Sequence, residues 1–396
     1  MSWRGSFALC LLLLVACQRT SAPAPSPVSD AGMAEAPTSP EPASSVAEPL
    51  LPCQANGGTP LDAALGYLEG GKYAEALSCA AQASALDPDD ATAHAARGNA
   101  LAALERTAEA QVAYARALAL HPGHLDALLG AAHLYAVQLP SSREFDELGA
   151  LYAERGLSQV DEVPEMLPQF ALVAAMALND LGQAGEALQR AQLVLAREPH
   201  HPEASYEKAL ALFELCRFRE ARTAFTGLLN DPAHGAHAHY HLGLLLEREG
   251  KWKQAREHFD KARVLAPRDF PEPPLPSEAE FREEVARTVA ALPKDMRDDL
   301  AGVPVRAEEL PADDDLLSGE PPLSPAILGL FRGPPLNEPC DGTETPCRSV
   351  ALYRLNLARA VRTREELREQ IKVTLLHEVG HLRGEDDQEL AARGLE

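Results

Sequence analysis

Leu375-Leu376-His377-Glu378-Val379-Gly380-His381-Leu382-Arg383-Gly384-Glu385-Asp386-Asp387 is the stretch around which this 396-residue chain is organised. It lies on a run that reads as helix from about Arg364 to Leu382. Residues four apart on a helix lie one above the other, so His377 and His381 present their imidazoles to one point. That is the spacing two ligands of a zinc ion need. Glu378 is rotated off the line of the histidines and stands beside it, where a carboxylate takes a proton from an attacking water. Gly384 ends the helix, because glycine enters the left-handed region at little cost. The turn it makes swings Asp387 back as a third, oxygen ligand. Val373, Leu375, Leu376 and Val379 supply an apolar face that buries the helix and sets the histidine pair in a cleft.

The surrounding 277–396 region resembles the minimal zincin-like metallopeptidases, small bacterial domains. The matching pieces are Glu280-Phe281-Arg282-Glu283-Glu284-Val285, Leu292-Pro293-Lys294-Asp295-Met296-Arg297 and Leu328-Gly329-Leu330-Phe331, followed by Val350-Ala351-Leu352-Tyr353-Arg354, Glu365-Glu366-Leu367-Arg368-Glu369-Gln370 and the His-Glu-x-x-His-x-x-Gly-x-x-Asp motif itself. The resemblance implies a small α+β domain with one Zn²⁺ on His377, His381 and Asp387 and with Glu378 as general base. A strand from Ser349 to Asn356 is expected before the active helix, its edge open to an extended substrate. One departure is the insertion from Cys340 to Cys347, expected to reshape the rim of the cleft. The Asp313-Asp314-Asp315 stretch is a second segment that could cover it.

Upstream, from about Gly57 to Pro267, the chain is rich in Ala and Leu and carries an internal period. Asp87-Pro88 and His121-Pro122 are 34 residues apart, and between them lie Gly98, Ala110, Tyr114 and Ala117. The pattern returns as Gly243, Ala255, Phe259 and Ala262 before Pro267, as Ala209, Ala221 and Phe225 before Pro232, and more faintly as Ala175, Ala187 and Ala191 before Pro199. Small residues let two helices approach closely, and the aromatic fills the gap to the next pair. These positions resemble the tetratricopeptide repeat, and five or six copies fit in 56–268. The stretch from Ser141 to Pro164 breaks the register and is expected to hold an irregular connection. Such a solenoid leaves a concave face that receives an extended peptide or protein segment. His200, His201, His234, His237, His239 and His241 follow no ligand spacing and read as packing and loop residues. The expected fold is therefore mostly α: a repeat solenoid, a Pro-rich hinge at 269–276, and the small C-terminal domain.

The first residues set the compartment. Arg4 and the short apolar run Phe7 to Ala16 make an export leader, too short to span a bilayer as a mature helix. It ends in Leu14-Val15-Ala16-Cys17, which resembles a bacterial lipobox and implies lipidation of Cys17 after removal of the preceding residues. Gln18, in place of Asp, favours the outer membrane over the inner, with the body facing the periplasm or the exterior. Residues 18–55 hold few large apolar side chains and cannot bury enough surface to order themselves. They read as a tether of up to roughly 100 Å at about 3.1 Å per residue.

A formal net charge of −23 excludes nucleic acid as an expected partner and argues against a polybasic contact with anionic lipid, leaving membrane attachment to the anchor. Seven cysteines are present, two of them (Cys10 and Cys17) in the leader. In an oxidising compartment Cys340 and Cys347 are expected to pair around Gly342, a small loop that stabilises by roughly 2.5 kcal/mol in the chain-entropy model. Cys53 and Cys79 are a second candidate pair, which leaves Cys216 as a buried small apolar residue.

Two functions follow. One is a membrane-tethered zinc metallopeptidase whose repeats recruit a protein substrate. The other is a scaffold lipoprotein whose repeats bind partners beside a zinc-binding but non-catalytic domain. Three protein ligands leave a coordination position open, which favours catalysis. Only nine residues follow Asp387, room for neither a Met-turn nor a downstream glutamate-bearing helix, which keeps the scaffold reading in play.

Overall fold

The computed structural model describes residues 52–55, 57–340 and 346–395; the leader, the lipidation residue Cys17, most of the expected tether and residues 341–345 of the insertion lie outside them. The chain divides after Lys208 into two compact units.

The first unit is built from antiparallel helix pairs: α1 (Pro60–Glu69) with α2 (Tyr73–Leu86), α3 (Ala91–Ala103) with α4 (Thr107–Leu120), α5 (Leu125–His133) with α6 (Arg143–Leu157), and α7 (Leu167–Asp180) with α8 (Ala184–Arg197). Its core is largely alanine and leucine, which is how helices pack this closely. Tyr114 is the wedge. A Cβ on Gly98 would lie 2.6 Å from the tyrosine ring and one on Gly130 would lie 2.5 Å from it, so both neighbouring helices give up a side chain to seat the ring. The phenol, 3% exposed, donates to Asn99 Oδ1 at 2.8 Å. At the start of the unit, Cys53 is joined to Cys79 in the middle of α2.

The stretch Ser141–Pro164 is more regular than its sequence reads. It contains the whole of α6, opened by Ser142, whose hydroxyl accepts from the Phe145 amide. The irregular parts flank it: a π-helical turn over Leu134–Gln138 and short 3-10 turns over Val160–Glu162 and Pro164–Met166. Pro140 has no amide to continue the preceding helix. The aromatic that fills the gap, Phe170, comes from α7 and lies where a Cβ on Gly156 would be, 2.1 Å away, so the pair does not follow the period of its neighbours.

The second unit begins within α9 (Pro202–Glu214) and continues through α10 (Phe218–Gly227), α11 (Gly235–Arg248) and α12 (Trp252–Leu265). There follow α13 (Glu278–Ala291), α14 (Lys294–Asp299), β1 (Val305–Glu308), α15 (Asp313–Leu316), β2 (Gly329–Arg332), β3 (Ser349–Tyr353), α16 (Arg354–Arg359), α17 (Arg364–Arg383) and α18 (Asp387–Ala392). The sheet has the order β1-β3-β2, with β1 parallel and β2 antiparallel to β3. Phe281 and Val285 of α13 and Leu367, Ile371, Leu375, Val379 and Leu382 of α17 form its core with Val350 and Leu352.

The expectation for the strand is corrected here. The strand ends at Tyr353 rather than Asn356, because Leu355, Leu357 and Ala358 turn into the core as α16, while Asn356 donates to the carbonyls of Pro325 and Ile327 at 3.0 and 2.8 Å. Both edges of β3 are taken, so the outer edges of the sheet belong to β1 and β2. The Pro-rich run 271–276 is held at both ends. Phe270 stacks on Tyr240 with centroids 4.7 Å apart, Arg354 donates to the Pro276 carbonyl at 2.6 Å, and Arg364 to that of Leu275 at 3.1 Å. The last repeat pair is joined to the C-terminal domain by paired charges. Glu247 meets Arg359, with side chains 10% and 16% exposed. Arg248 meets Asp313 and the Pro311 carbonyl. Among the described residues no helix is long and apolar enough to cross a membrane.

Candidate metal centre

Thr363 starts α17: its hydroxyl accepts from the Glu366 amide and the Glu366 carboxylate reaches back to the Thr363 amide. The reciprocal cap satisfies two amides that a helix start leaves open. Gly384 stops the helix with φ of 93°, a left-handed value that glycine adopts without strain. Between these ends one stripe packs on the sheet. His377 and His381 lie beside that stripe, their side chains 25% and 28% exposed.

The two Nε2 atoms are 2.9 Å apart. Asp387 Oδ1, at the start of α18, is 3.6 Å from His377 Nε2 and 3.2 Å from His381 Nε2. Among the described residues this is the one group of three such side chains whose ligand atoms converge. The opposite ring nitrogens settle the tautomers. His377 Nδ1 lies 2.5 Å from the Leu395 carbonyl and His381 Nδ1 lies 3.0 Å from the Glu385 carbonyl. A carbonyl only accepts, so each Nδ1 carries the proton and each Nε2 offers a lone pair. In the neutral rings two lone pairs thus converge with a carboxylate oxygen, an arrangement that a cation stabilises. The separations bracket the roughly 3.3 Å expected between tetrahedral donors at about 2.0–2.1 Å from zinc. Two imidazoles and one carboxylate are also a donor set that zinc takes. The residues fit the ion.

Glu378 points to the other side, toward the sheet. It is 5% exposed, and burial pushes its carboxyl up to about 7; the Phe331 amide, which donates to it, works against that rise, and the Asp387 charge adds to it. The amide identifies the open edge of β2: it points away from β3 and at the carboxylate. Gly329 makes the approach possible, since a Cβ there would lie 2.8 Å from Glu378 Oε1. Behind the carboxylate, Arg332 of β2 forks onto Glu308 at 2.9 and 2.8 Å and onto Asp315 at 2.9 and 2.7 Å. Asp315 therefore braces the edge strand, and Asp313 is turned to Arg248.

Cys340 and Cys347 are bonded, and Arg348 donates to the carbonyls of Pro334, Pro335 and Glu338. Cys216 is free and half-buried at a turn with φ of 55°, not a core residue; its thiol faces the Leu323 carbonyl at 3.6 Å. The repeat histidines pack or cap. His241 stacks on Phe225 with centroids 4.6 Å apart, His201 accepts from the Ala204 amide, and His239 meets His258, which the spacing did not flag, at 3.0 Å.

The sequence pattern missed the Leu395 and Glu385 carbonyls and the Phe331 amide, which are backbone groups and leave no signature. Gly380, between Glu378 and His381, marks in the sequence where Leu390 packs against α17.

Comparison with known proteins agrees with this geometry. Residues 300–395 match the model of the zincin-like metallopeptidase family, and residues 61–124, 175–240 and 236–269 match tetratricopeptide-repeat models. Similar solved structures include YrrB, described as a TPR protein with an unusual peptide-binding site (21% identity, 48% of this chain and 94% of that one, TM-score 0.40). They also include PilW, a type IV pilus biogenesis factor (18%, 53% and 93%, 0.43), and pilF of Pseudomonas aeruginosa (19%, 57% and 96%, 0.43). No curated protein matches the chain at a significant level. The chain carries tetratricopeptide repeats and, after them, a C-terminal zincin-like metallopeptidase domain.

Proposed function

We propose that the protein is a zinc metallopeptidase, held at the cell envelope by a lipid on Cys17, whose repeats bring a protein substrate to the C-terminal domain. The observation that carries the reading is the convergence of the His377, His381 and Asp387 side chains beside a buried glutamate. His377, His381 and Asp387 would hold the ion, which supplies a Lewis acid that polarises the scissile carbonyl and acidifies water. Glu378 takes the proton of the attacking water on a carboxylate oxygen and hands it to the leaving amine. Phe331 N–H holds that carboxylate in place from the edge of β2. An extended substrate pairs along the same edge, taking the place the sequence reading gave to β3. Arg332, fixed by two carboxylates, keeps the strand from shifting as the substrate binds.

The test pairs metal content with cleavage. Wild type should hold close to one Zn²⁺ and cut a peptide library. Glu378→Gln should keep the ion and lose about 10²–10⁴-fold in rate, the usual worth of a general base. Comparing the new protein termini in cells carrying wild type or Glu378→Gln names the substrates. Tight zinc binding without cleavage, even of proteins captured by the repeats, would transfer the assignment to the scaffold reading.

A further inference from the structure

We propose that the segment from Asp386 to Leu395 is a latch that locks His377 in its zinc-binding tautomer, with Gly380, Leu390 and Leu395 as positioning residues. The inference rests on the metal-site reading above. A neutral imidazole exchanges its proton between two nitrogens unless a partner holds it on one. For His377 that partner is the Leu395 carbonyl, 2.5 Å from Nδ1, eighteen positions further along the chain. α18 and the turn after it bring it back.

Asp386 opens α18 with a reciprocal cap: its carboxylate accepts from the Glu389 amide at 2.9 Å and the Glu389 carboxylate accepts from the Asp386 amide at 3.1 Å. The helix then lies across α17 at Gly380. A Cβ at that position would be 2.2 Å from Leu390 Cδ2, and Leu390 is fully buried there. Gly394, with φ of 71°, reverses the chain, and the Leu395 amide returns to the Leu390 carbonyl at 3.1 Å. Leu395 is thereby buried, 8% exposed, with its carbonyl turned to His377. The same segment touches the other donors. Arg393 pairs with Glu385, whose carbonyl holds His381 Nδ1, and Asp387 is the first residue of α18. One short element thus sets all three donors.

The core stripe of α17 packs on the sheet independently of this contact, so loosening the latch should unset the site without unfolding the domain. The experiment uses the full chain with histidine-selective ¹⁵N labelling, His377 being assigned from the signals lost in His377→Ala. Wild type should show His377 protonated on Nδ1. Leu390→Ala should give a mixture of tautomers and weaken zinc binding by roughly 10–100-fold, the usual loss when a ligand's hydrogen-bond partner goes, with an unchanged far-ultraviolet circular dichroism spectrum. Leu390→Met, which refills the seat, should restore both readouts. Gly380→Ala, which leaves every side chain of the latch in place but blocks its seat, should match Leu390→Ala and supplies the reading if that variant unfolds. A wild-type tautomer and affinity in both Leu390→Ala and Gly380→Ala would overturn the latch, while zinc loss in His377→Ala would still uphold the metal site. If wild type takes up no zinc the metal-site reading falls, and the tautomer readout alone decides the latch.

Discussion

His377→Ala and His381→Ala each remove a donor already aimed by its own hydrogen bond, and zinc content measured by mass spectrometry should fall to background. The donor residues were legible in the sequence because a helix converts spacing into direction. The groups that orient them were not, because a carbonyl of Leu395 looks like any other carbonyl until the chain has folded back. Asp386 cannot replace a lost Asp387, because its carboxylate is engaged in capping α18. Asp387→Ala should therefore weaken zinc by at least the roughly 10–100-fold that losing an outer partner costs, with water as the replacement. A second residue-scale prediction concerns acid. Burial pushes His241 down to about 4, below its ordinary value of about 6.5, so the unfolded chain binds the proton more readily in that window. Stability from this site is full above about 6.5 and declines toward 4 by at most about 1.4 kcal/mol per pH unit. Urea midpoints taken at several pH values should show a shallower acid decline in His241→Phe than in wild type.

At the scale of elements, the helix pairs were readable from Gly98, Ala110, Tyr114 and Ala117, since those positions govern how closely helices approach. The third pair was not, because Phe170 enters from the following helix and Gly156, which admits it, falls off the period. The contact between Gly98 and Tyr114 should be strongly coupled. Gly98→Ala should destabilise by about 1–3 kcal/mol through overpacking against the ring. In a double-mutant cycle with Tyr114→Leu the penalty of the added methyl should shrink, giving a non-additive sum in urea unfolding. The three strands escaped detailed reading for another reason. Their order depends on which distant segments meet, and β3, read as a strand with an open edge, lies between the other two with all five positions buried.

For the whole chain, two kinds of architecture in sequence were legible, but the seam between them was not. Pro271 to Pro276 reads as a stiff hinge from composition, and Arg354, Arg364 and Tyr240 hold its ends by contacts that composition does not encode. Glu247 and Arg359 add a nearly buried ion pair between the last repeat and the C-terminal domain. Breaking such a pair leaves an uncompensated charge, so Arg359→Ala should cost about 3–5 kcal/mol in denaturant unfolding of the full chain. A fragment ending at residue 268 should be helical by circular dichroism, yet exchange its α11 and α12 amides faster than the full chain does. The disulfide between Cys53 and Cys79 has a mechanical consequence. If the chain is anchored through Cys17, tension on the leading segment reaches the folded body at Cys53 and passes through the covalent bridge into the middle of α2, so that α1 carries little load. Under reducing conditions the same pull would peel α1 away first, and single-molecule extension should show an early, low-force step that oxidation abolishes.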